Sequence, residues 1–363
     1  MEAIGAAFEI PGKLVEAAAH GSGHIHETFV ARYVDQGTQT RFIHQRLNTG
    51  IFQDPAGLME NVARITGHLR QKLEQRGVAS PERRCLTLIP ARDGGACHHD
   101  AEGRVWRSFR FVEGSRSLDT LEHPQQAFEV ARAFGAFAEM LADLPPPPLR
   151  ITVPDFHDLD GRFARFESAV RDDAKDRTAT LGDEIERTKR HFEQVRGEID
   201  GLGAALPRRI FHHDCKVNNV LLDATSGEAL CVIDLDTTMP GTALSDFGEL
   251  VRSGTCRSPE DTRELAAMRL EPELFAALAR GYLEGAGPLL GDAERLALPL
   301  AGAVLTLMNA IRFLTDHLEG DSYFRIERPA QNLDRARAQL RLLDLLLEDL
   351  PHARRVIESA GGS

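Results

Sequence analysis

The sequence predicts an α+β protein in two lobes, with a small N-terminal lobe of mixed sheet and helix and a larger, mainly helical C-terminal lobe. Strand-like runs separated by turns predominate up to residue 112, and helical periodicity predominates after residue 118. The length of 363 residues suits one large domain or two lobes with a sizeable core. We therefore predict an N-terminal lobe at 1–112, a hinge at 113–118 and a C-terminal lobe at 119–363.

The N-terminal lobe is predicted from two pairs of strand-like runs on either side of one helix. The runs cover residues 28–34, 41–47, 85–90 and 105–112. A glycine-containing loop with Gly21 and Gly23 precedes the first of them. Between the pairs, residues 58–76 carry apolar side chains at positions 58, 59, 62, 65, 69 and 73, a spacing typical of an amphipathic helix.

The C-terminal lobe is predicted as a set of helices interrupted by one β-rich segment at 210–236. The helical stretches are 124–144, two charged stretches within 160–202, and then 259–285, 292–318 and 329–348. The first helix is expected to end before the four prolines at 145–148, because proline lacks the amide hydrogen that a helix needs.

The composition excludes several classes of partner. With 43 Lys and Arg against 55 Asp and Glu, the formal net charge is −12, which repels nucleic acid and anionic membrane surfaces. Five cysteines without a C-x-x-C pair argue against a disulfide framework or a cysteine zinc site. No signal peptide is recognised. The most apolar stretch, 296–314, is interrupted by Asn309 and Arg312, so a buried core helix is expected there rather than a membrane span. A cytoplasmic protein is expected, and a monomer is compatible with the sequence.

The chemically informative segment is 211–236. Asp214 is followed five residues later by Asn219 at the entry to an apolar strand, and a second strand leads to Asp234. Strands this close in sequence pair as a hairpin, so Asn219 and Asp234 are expected at the same end of it. Oxygen ligands so placed suit Mg²⁺, which takes one or two carboxylates together with phosphate oxygens and waters. Asp214, on the preceding loop, is then free to act as a base.

This arrangement is the catalytic loop and metal loop of kinases, H-x-D-x-x-x-x-N followed by an Asp about twenty residues later. We therefore predict phosphoryl transfer from ATP, with Asp214 as the base and with Asn219 and Asp234 as magnesium ligands. Lys216 lies where protein kinases have a lysine that faces the transferred phosphate.

Two histidines in the loop have different implications. His212 is expected to pack and to hold the loop through hydrogen bonds. His213 stands where protein kinases have an arginine that binds the activation-loop phosphate, and no A-P-E segment follows it. A protein substrate is therefore disfavoured, and a small-molecule acceptor is expected.

On these residues the chain resembles the aminoglycoside phosphotransferase and choline kinase superfamily and, within it, the bacterial N-acetylhexosamine 1-kinases. The segments that carry the resemblance are 48–54, 155–158 with 162–163, 233–241, 246–248 with 252, 312–314 and 318–324. They extend over nearly the whole chain, and the resemblance implies the two-lobed protein-kinase-like fold. It also implies that ATP and Mg²⁺ are used to phosphorylate the anomeric hydroxyl of N-acetylglucosamine or N-acetylgalactosamine.

The resemblance also suggests which residues contact the acceptor. It places His24, Arg312 and Tyr323 near the sugar or the transferring phosphate, and Asp236 is a further candidate for contact with sugar hydroxyls. Each of these residues also has a structural alternative. His24 could be a solvated loop histidine, and Arg312 could form an internal ion pair. Tyr323 could anchor a loop, and Asp236 could cap a turn. Asp246 is expected to be a buried structural acid.

The nucleotide is expected at Gly21, Gly23, Arg46, Phe111 and Val112. One departure concerns residues 41–47, which contain no lysine where kinases carry the lysine that holds the α- and β-phosphates. Gln45 and Arg46 are the candidates for that position, with Glu60 as a partner. Since strand side chains alternate, both candidates cannot point inward.

Two alternative functions stay open. The first is a kinase of the same superfamily for a different hydroxyl, on an aminoglycoside, choline, homoserine or another sugar. The second is a pseudokinase that binds nucleotide without turnover. Retention of Asp214, Asn219 and Asp234 together argues against the second, because a binding module needs no base.

Overall fold

The computed structural model describes residues 1–21, 25–203 and 205–361. In chain order its helices are α1 Glu2–Ala6, α2 Pro55–Gln75, α3 Pro124–Leu141, α4 Leu159–Asp172, α5 Gly182–Gly201, α6 Ala243–Gly254, α7 Pro272–Ala286, α8 Asp292–Glu319, α9 Gln331–Glu348 and α10 Leu350–Gly361. Its strands are β1 Lys13–Ala19, β2 Glu27–Asp35, β3 Thr38–Arg46, β4 Leu88–Ile89, β5 His98–His99, β6 Val105–Arg110, β7 Ser115–Arg116, β8 Arg209–Phe211, β9 Val220–Asp223, β10 Ala229–Val232 and β11 Met239–Gly241.

The chain divides into two compact units. The first comprises Met1–Arg116, Met140–Pro154 and Leu221–Met239. The second comprises Ser117–Glu139, Asp155–Val220 and Pro240–Ser363. Each unit is therefore assembled from three separate stretches of sequence.

An antiparallel sheet forms the body of the first unit. Its strand order is β1-β2-β3-β6-β4, and β5 also pairs with β6. The predicted strands at 28–34 and 41–47 are confirmed as β2 and β3, which are joined by Gln36 and Gly37. Both turn residues have positive φ, 46° and 84°, as a tight two-residue hairpin turn requires. β1 was not predicted, because its alanine-rich sequence has little of the β-branched character typical of strands.

The long helix of the first unit begins where its sequence provides a cap. The Asp54 carboxylate accepts a hydrogen bond from the Gly57 amide at 2.9 Å, and Pro55 occupies the first turn. All six apolar positions predicted for α2 are buried, which confirms the predicted inner face. The helix begins three residues earlier than the predicted start at residue 58.

A smaller sheet with the order β10-β9-β7 completes the first unit. β9 and β10 form the hairpin predicted within 210–236, and β7 pairs with β9 on its other side. In a hairpin, the start of one strand and the end of the other lie at the same end. Asn219 directly precedes β9, and Asp234 follows β10 by two residues.

The second unit is organised around α8, which packs against α4, α5, α6 and α9. By length and composition this helix could cross a membrane, but 78% of its most apolar window is buried within the protein. α8 is therefore a core helix, as the sequence predicts for this stretch. Its core includes Phe166 of α4 and Ile311 and Leu314 of α8 itself.

Two sequence predictions in these regions are wrong in detail, and some helices were missed. The helix predicted from residue 259 begins at Pro272, because a proline starts a helix readily and disfavours helical backbone before it. The strand predicted at 85–90 is reduced to β4, since the Cys85 amide closes a turn with Pro81. Helices α6 and α10 were not predicted at all.

Candidate active site

The loop between β8 and β9 brings three of the predicted site residues together. The Lys216 ammonium lies 2.8 Å from Oδ1 of Asp214. Nδ2 of Asn219 donates to the Asp214 carbonyl oxygen at 2.9 Å and to Asp214 Oδ2 at 3.2 Å. A short 3-10 turn, Val217–Asn219, links this loop to β9. One lysine and one asparagine therefore fix the position of the half-buried Asp214 carboxylate.

The ionisation of Asp214 is governed by two opposing effects. Burial alone would raise the pKa of this carboxyl, but the charge and hydrogen bond of Lys216, together with the charges of His212 and Arg252, outweigh burial and leave the pKa below its ordinary value. In return, the Asp214 carboxylate raises the pKa of Lys216 against the effect of burial. Asp214 is thus an ionised carboxylate at neutral pH, able to accept a proton or a hydrogen bond from a hydroxyl.

Asp246 of α6 anchors the backbone of the loop that carries Asp214. Asp246 accepts hydrogen bonds from the His212 amide at 3.1 Å and the His213 amide at 2.7 Å. This geometry holds His213 at a φ of 69°, an uncommon conformation for a residue other than glycine. Burial raises the pKa of Asp246, although the His212 ring, the two backbone amides and the Cys215 thiol oppose that effect. The predicted role of Asp246 as a buried structural acid is confirmed.

His212 supports the loop, as the sequence predicts. Its ring is fully buried and meets Phe134 and Phe137 edge-on, with centroid distances of 5.1 and 5.7 Å. Its Nδ1 accepts a hydrogen bond from the Asp214 amide at 3.2 Å. His212 therefore packs and orients the loop rather than presenting a free imidazole.

Arg312 and Tyr323 line one open cleft in the second unit. The Arg312 guanidinium lies 5.9 Å from the Tyr323 ring centroid and 5.0 Å from that of Phe324. Tyr323 is 57% exposed, an unusual fraction for a large aromatic side chain. The structure thus brings together two of the residues predicted to contact the acceptor.

The cleft is connected to the loop that carries Asp214 through a row of rings. The Arg312 guanidinium lies 5.9 Å from Phe156, whose ring is 4.4 Å from that of His157. Nε2 of His157 is 3.0 Å from the carbonyl oxygen of His213, the residue that precedes Asp214. Burial lowers the pKa of His157 to about 4, so this imidazole is neutral and donates the hydrogen bond.

In the first unit, the chain after β10 turns sharply at Asp234, whose φ is 62°. Two residues later, Asp236 is held by an internal network. Its carboxylate accepts hydrogen bonds from both Nη atoms of Arg107, and from Nε2 of His26 at 2.5 Å. Arg107 is itself only 2% exposed and also donates to Gln45 at 2.9 Å. Both oxygens of Asp236 are thus engaged within the protein.

The residues present suit a magnesium ion. Both amide hydrogens of Asn219 are directed to Asp214, so its side chain has only a carbonyl oxygen to offer another partner. An amide oxygen and a carboxylate, together with phosphate oxygens, form a donor set that Mg²⁺ accepts. Among the described residues, no cluster of three or more His, Cys, Asp or Glu side chains forms a complete protein cage for a metal.

The residues predicted to bind nucleotide lie in different surroundings. Val112 packs with Leu230 and Cys231 in a small apolar cluster of the first unit. Phe111 is covered by the Arg41 guanidinium at 3.9 Å from its ring centroid. Gly21 has a φ of 80°, whereas Gly23 and His24 lie outside the described residues.

The candidates for the missing third-strand lysine are engaged with other side chains. Arg46 is ion-paired with Glu27 at the surface. Gln45 donates to Thr28 at 3.0 Å and accepts from Arg107. Glu60 is paired with Arg150 at 2.8 Å, so it is not the partner of either candidate.

Two arginines that were assigned no role emerge from the structure. Arg107 holds Asp236, and Arg162 lines the cleft beside Arg312. An arginine within the apolar strand Val105–Arg110 is a signal that could have indicated the first, because a buried charge needs a partner. Arg162 on α4 has no comparable signal, since helix surfaces commonly carry arginine.

The architecture described above, a sheet unit and a helical unit with an Asp-Lys-Asn loop leading into a β-hairpin, is a kinase-like fold. The chain belongs to the phosphotransferase enzyme family, whose model matches residues 16–298. The predicted superfamily and fold class are thereby confirmed, and phosphotransfer is the chemistry of the family.

Solved structures share this fold at low sequence identity. An aminoglycoside phosphotransferase from Alicyclobacillus acidocaldarius is 12% identical, with a TM-score of 0.62 over 99% of this chain and 96% of that chain. A microcompartment-associated aminopropanol kinase is 16% identical, with a TM-score of 0.62 over 93% and 94%. Spectinomycin phosphotransferase in complex with ADP and spectinomycin is 9% identical, with a TM-score of 0.55 over 93% and 94%.

Proposed function

We propose that this phosphotransferase is an N-acetylhexosamine 1-kinase. It transfers the γ-phosphoryl group of ATP to the anomeric hydroxyl of N-acetylglucosamine or N-acetylgalactosamine and releases the sugar 1-phosphate. The observation that carries the proposal is the fixed, ionised Asp214 carboxylate between Lys216 and Asn219. ATP as the donor accords with the ADP complex of a protein that shares the fold. The proposal includes a cytoplasmic location, where ATP is available.

In this proposal Asp214 orients the acceptor hydroxyl and takes its proton as the new P–O bond forms. A carboxylate with a lowered pKa is a weak base, so proton transfer occurs late, when the hydroxyl has become strongly acidic. Lys216 keeps Asp214 ionised and places a positive charge beside the reaction. His212 and Asp246 hold the loop so that the carboxylate does not reorganise during the step.

The proposed magnesium ligands are Asn219 and Asp234, which flank the β9–β10 hairpin in sequence. A bound Mg²⁺ would neutralise charge on the phosphates of ATP. The proposed nucleotide contacts are Gly21, Gly23, Phe111 and Val112, and Arg46 only if its pair with Glu27 opens.

The proposed acceptor contacts are Arg312 and Tyr323, with His24 added by resemblance. The relatives named above act on amine-bearing acceptors, as the names aminopropanol kinase and aminoglycoside phosphotransferase say. The cleft at Arg312 is instead lined by three arginines and two acids. Repulsion of an ammonium group by this cleft disfavours an amine-bearing acceptor and is compatible with an N-acetylated sugar.

Matched pairs of acceptors test the proposal. N-acetylglucosamine and glucosamine differ in whether the 2-nitrogen is a neutral amide or an amine, and the methyl glycoside of N-acetylglucosamine blocks only the anomeric hydroxyl. We expect ATP consumption with N-acetylglucosamine or N-acetylgalactosamine, little with glucosamine or aminopropanol, and none with the methyl glycoside. Phosphorus NMR should identify the product as the 1-phosphate. Phosphorylation of the methyl glycoside, or a higher kcat/KM for an amino alcohol, would contradict the assignment.

A further inference from the structure

Two arginines in the second unit have buried donors without acceptors. Arg162 on α4 and Arg312 on α8 line the same cleft. The Nε atom of each is buried and has no hydrogen-bond acceptor among the described residues. Leaving a buried N–H group unpaired costs about 1–3 kcal/mol, so such groups usually mark the place of a ligand or a water.

The acids of the cleft are already occupied by other donors. The Asp316 carboxylate accepts hydrogen bonds from the backbone amides of residues 322, 323 and 324 at 2.8–3.0 Å, and from Nδ2 of Asn332 at 2.8 Å. Glu319 is bound by Arg165 through Nε at 3.0 Å and Nη2 at 2.6 Å. Neither carboxylate is therefore left to pair with Arg162 or Arg312.

Arg312 has one long hydrogen bond, from Nη1 to Oδ1 of Asn309 at 3.5 Å, which leaves its charge uncompensated. The two guanidinium groups also act on each other. Burial and the charge of Arg312 lower the pKa of Arg162. The rings of Phe324, Tyr323 and Phe156 lie 5.0, 5.9 and 5.9 Å from the Arg312 guanidinium. Aromatic faces hold a guanidinium in place but do not neutralise it. The cleft thus keeps two like charges close together, and a bound anion would relieve their repulsion.

We propose that Arg162 and Arg312 form an oxyanion-binding site that takes a phosphate or carboxylate group. Guanidinium groups match such anions because their N–H donors form parallel, charge-assisted hydrogen bonds. The inference rests on the proposed function in placing the acceptor in this cleft, and it adds Arg162 as a binding residue. The anion could be the phosphoryl group of the sugar 1-phosphate product or a charged substituent on the acceptor.

Binding of inorganic phosphate tests the site without turnover. The protein is saturated with Mg·ADP to fill the nucleotide site, and Tm is followed as phosphate replaces chloride at constant ionic strength. We expect a saturable rise in Tm, with the half-saturating concentration at least tenfold higher in Arg162→Gln and Arg312→Gln. Arg171→Gln is the matched control, because this arginine lies on the same helix as Arg162 but is 70% exposed and does not line the cleft, and it should stay within twofold of the parent.

A parent protein without a saturable response, or Arg162→Gln with an unchanged one, would overturn the site. If Arg162→Gln does not fold, Arg162→Lys keeps the charge but lacks Nε, and an affinity equal to that of the parent would refute the role of Nε. N-acetylglucosamine 1-phosphate and 6-phosphate distinguish the two sources, since only the true ligand should lose affinity in Arg162→Gln. These measurements report binding and not turnover, so a negative result in the sugar kinase assay would not affect their interpretation.

Discussion

Lys216 determines the protonation state of the proposed base. Without its ammonium, burial would act with less opposition on Asp214 and raise the pKa of that carboxyl. The carboxylate would then become protonated, and inactive as a base, at a higher pH than in the parent protein. The 2.8 Å ion pair between Lys216 and Asp214 should therefore extend the proposed activity toward acid pH.

Replacing Lys216 should change the shape of the pH profile as well as the rate. We expect the acidic limb of log kcat/KM to move to higher pH in Lys216→Met, because the pKa of Asp214 rises. Lys216→Arg keeps the positive charge and should hold the limb near its parent position. A uniform fall in rate for Lys216→Met, with the limb unmoved, would show that the lysine does not control Asp214.

Arg312 and Tyr323 should affect the acceptor but not the nucleotide. Loss of a hydrogen bond from a charged group costs about 1.5–3 kcal/mol, so Arg312→Gln should raise the sugar KM by roughly ten- to a hundredfold. Tyr323→Phe keeps the ring and tests the hydroxyl alone, whereas Tyr323→Ala removes both. KM for ATP should stay within about twofold in steady-state kinetics. Equal effects on both substrates would indicate a loss of folding instead.

For individual residues, the sequence predicts which side chains act together only when they are close in the chain. Asp214, Lys216 and Asn219 lie within six residues of one another, so their spacing alone was enough to group them. The network of Asp236 joins it to Arg107, 129 residues earlier, and to His26, 210 residues earlier. No local pattern reports such pairings, and for that reason Asp236 was expected to be available to the sugar.

Among the elements, α3 and α7 are brought into close contact by glycine. A Cβ atom on Gly285 would lie 2.3 Å from the carbonyl oxygen of Arg132 and 2.7 Å from the amide nitrogen of Ala136. A Cβ atom on Gly135 would lie 2.6 Å from the carbonyl oxygen of Tyr282. Backbone atoms cannot rotate away as a side chain can, so this contact tolerates only glycine.

Gly285→Ala should therefore lower the free energy of unfolding by about 1–3 kcal/mol, through forced separation of the two helices. Gly197→Ala provides the matched control, because Gly197 lies within α5 and its Cβ would meet no described atom within 4 Å. It should raise the free energy of unfolding by about 0.5–1 kcal/mol, since alanine is the better helix former. Chemical denaturation measures both, and an equal response would contradict the packing argument.

An amphipathic helix could be predicted together with the face that it buries. α2 shows its buried stripe in the sequence, and all six expected positions lie inside. α6 also carries apolar residues at helical spacing, at Leu244, Phe247, Leu250 and Val251, so its sequence held the signal although it was not predicted. What the sequence does not show is that the polar residue Asp246 on this helix is buried and bonded to the loop that carries Asp214.

For the whole molecule, the net charge of −12 has to be reconciled with a polyanionic substrate. Positive charge is concentrated instead at particular side chains, with Lys216 at the loop and Arg162 and Arg312 at the cleft. The charge balance describes the surface, which disfavours nucleic acid and anionic membranes, while the site provides its own local field. The sequence indicated the acidic surface directly, whereas the local positive charge at the site became visible only in the structure.

The central claim is that this chain is a working kinase in which Asp214 receives the acceptor's proton. The most direct measurement compares Asp214→Asn with the parent protein for phosphoryl transfer to N-acetylglucosamine and for equilibrium binding of Mg·ATP. Asparagine keeps the size of the side chain and its contact with Asn219, so we expect transfer to fall by at least about a hundredfold while Mg·ATP affinity stays within a few-fold. Undiminished transfer by Asp214→Asn would contradict the account.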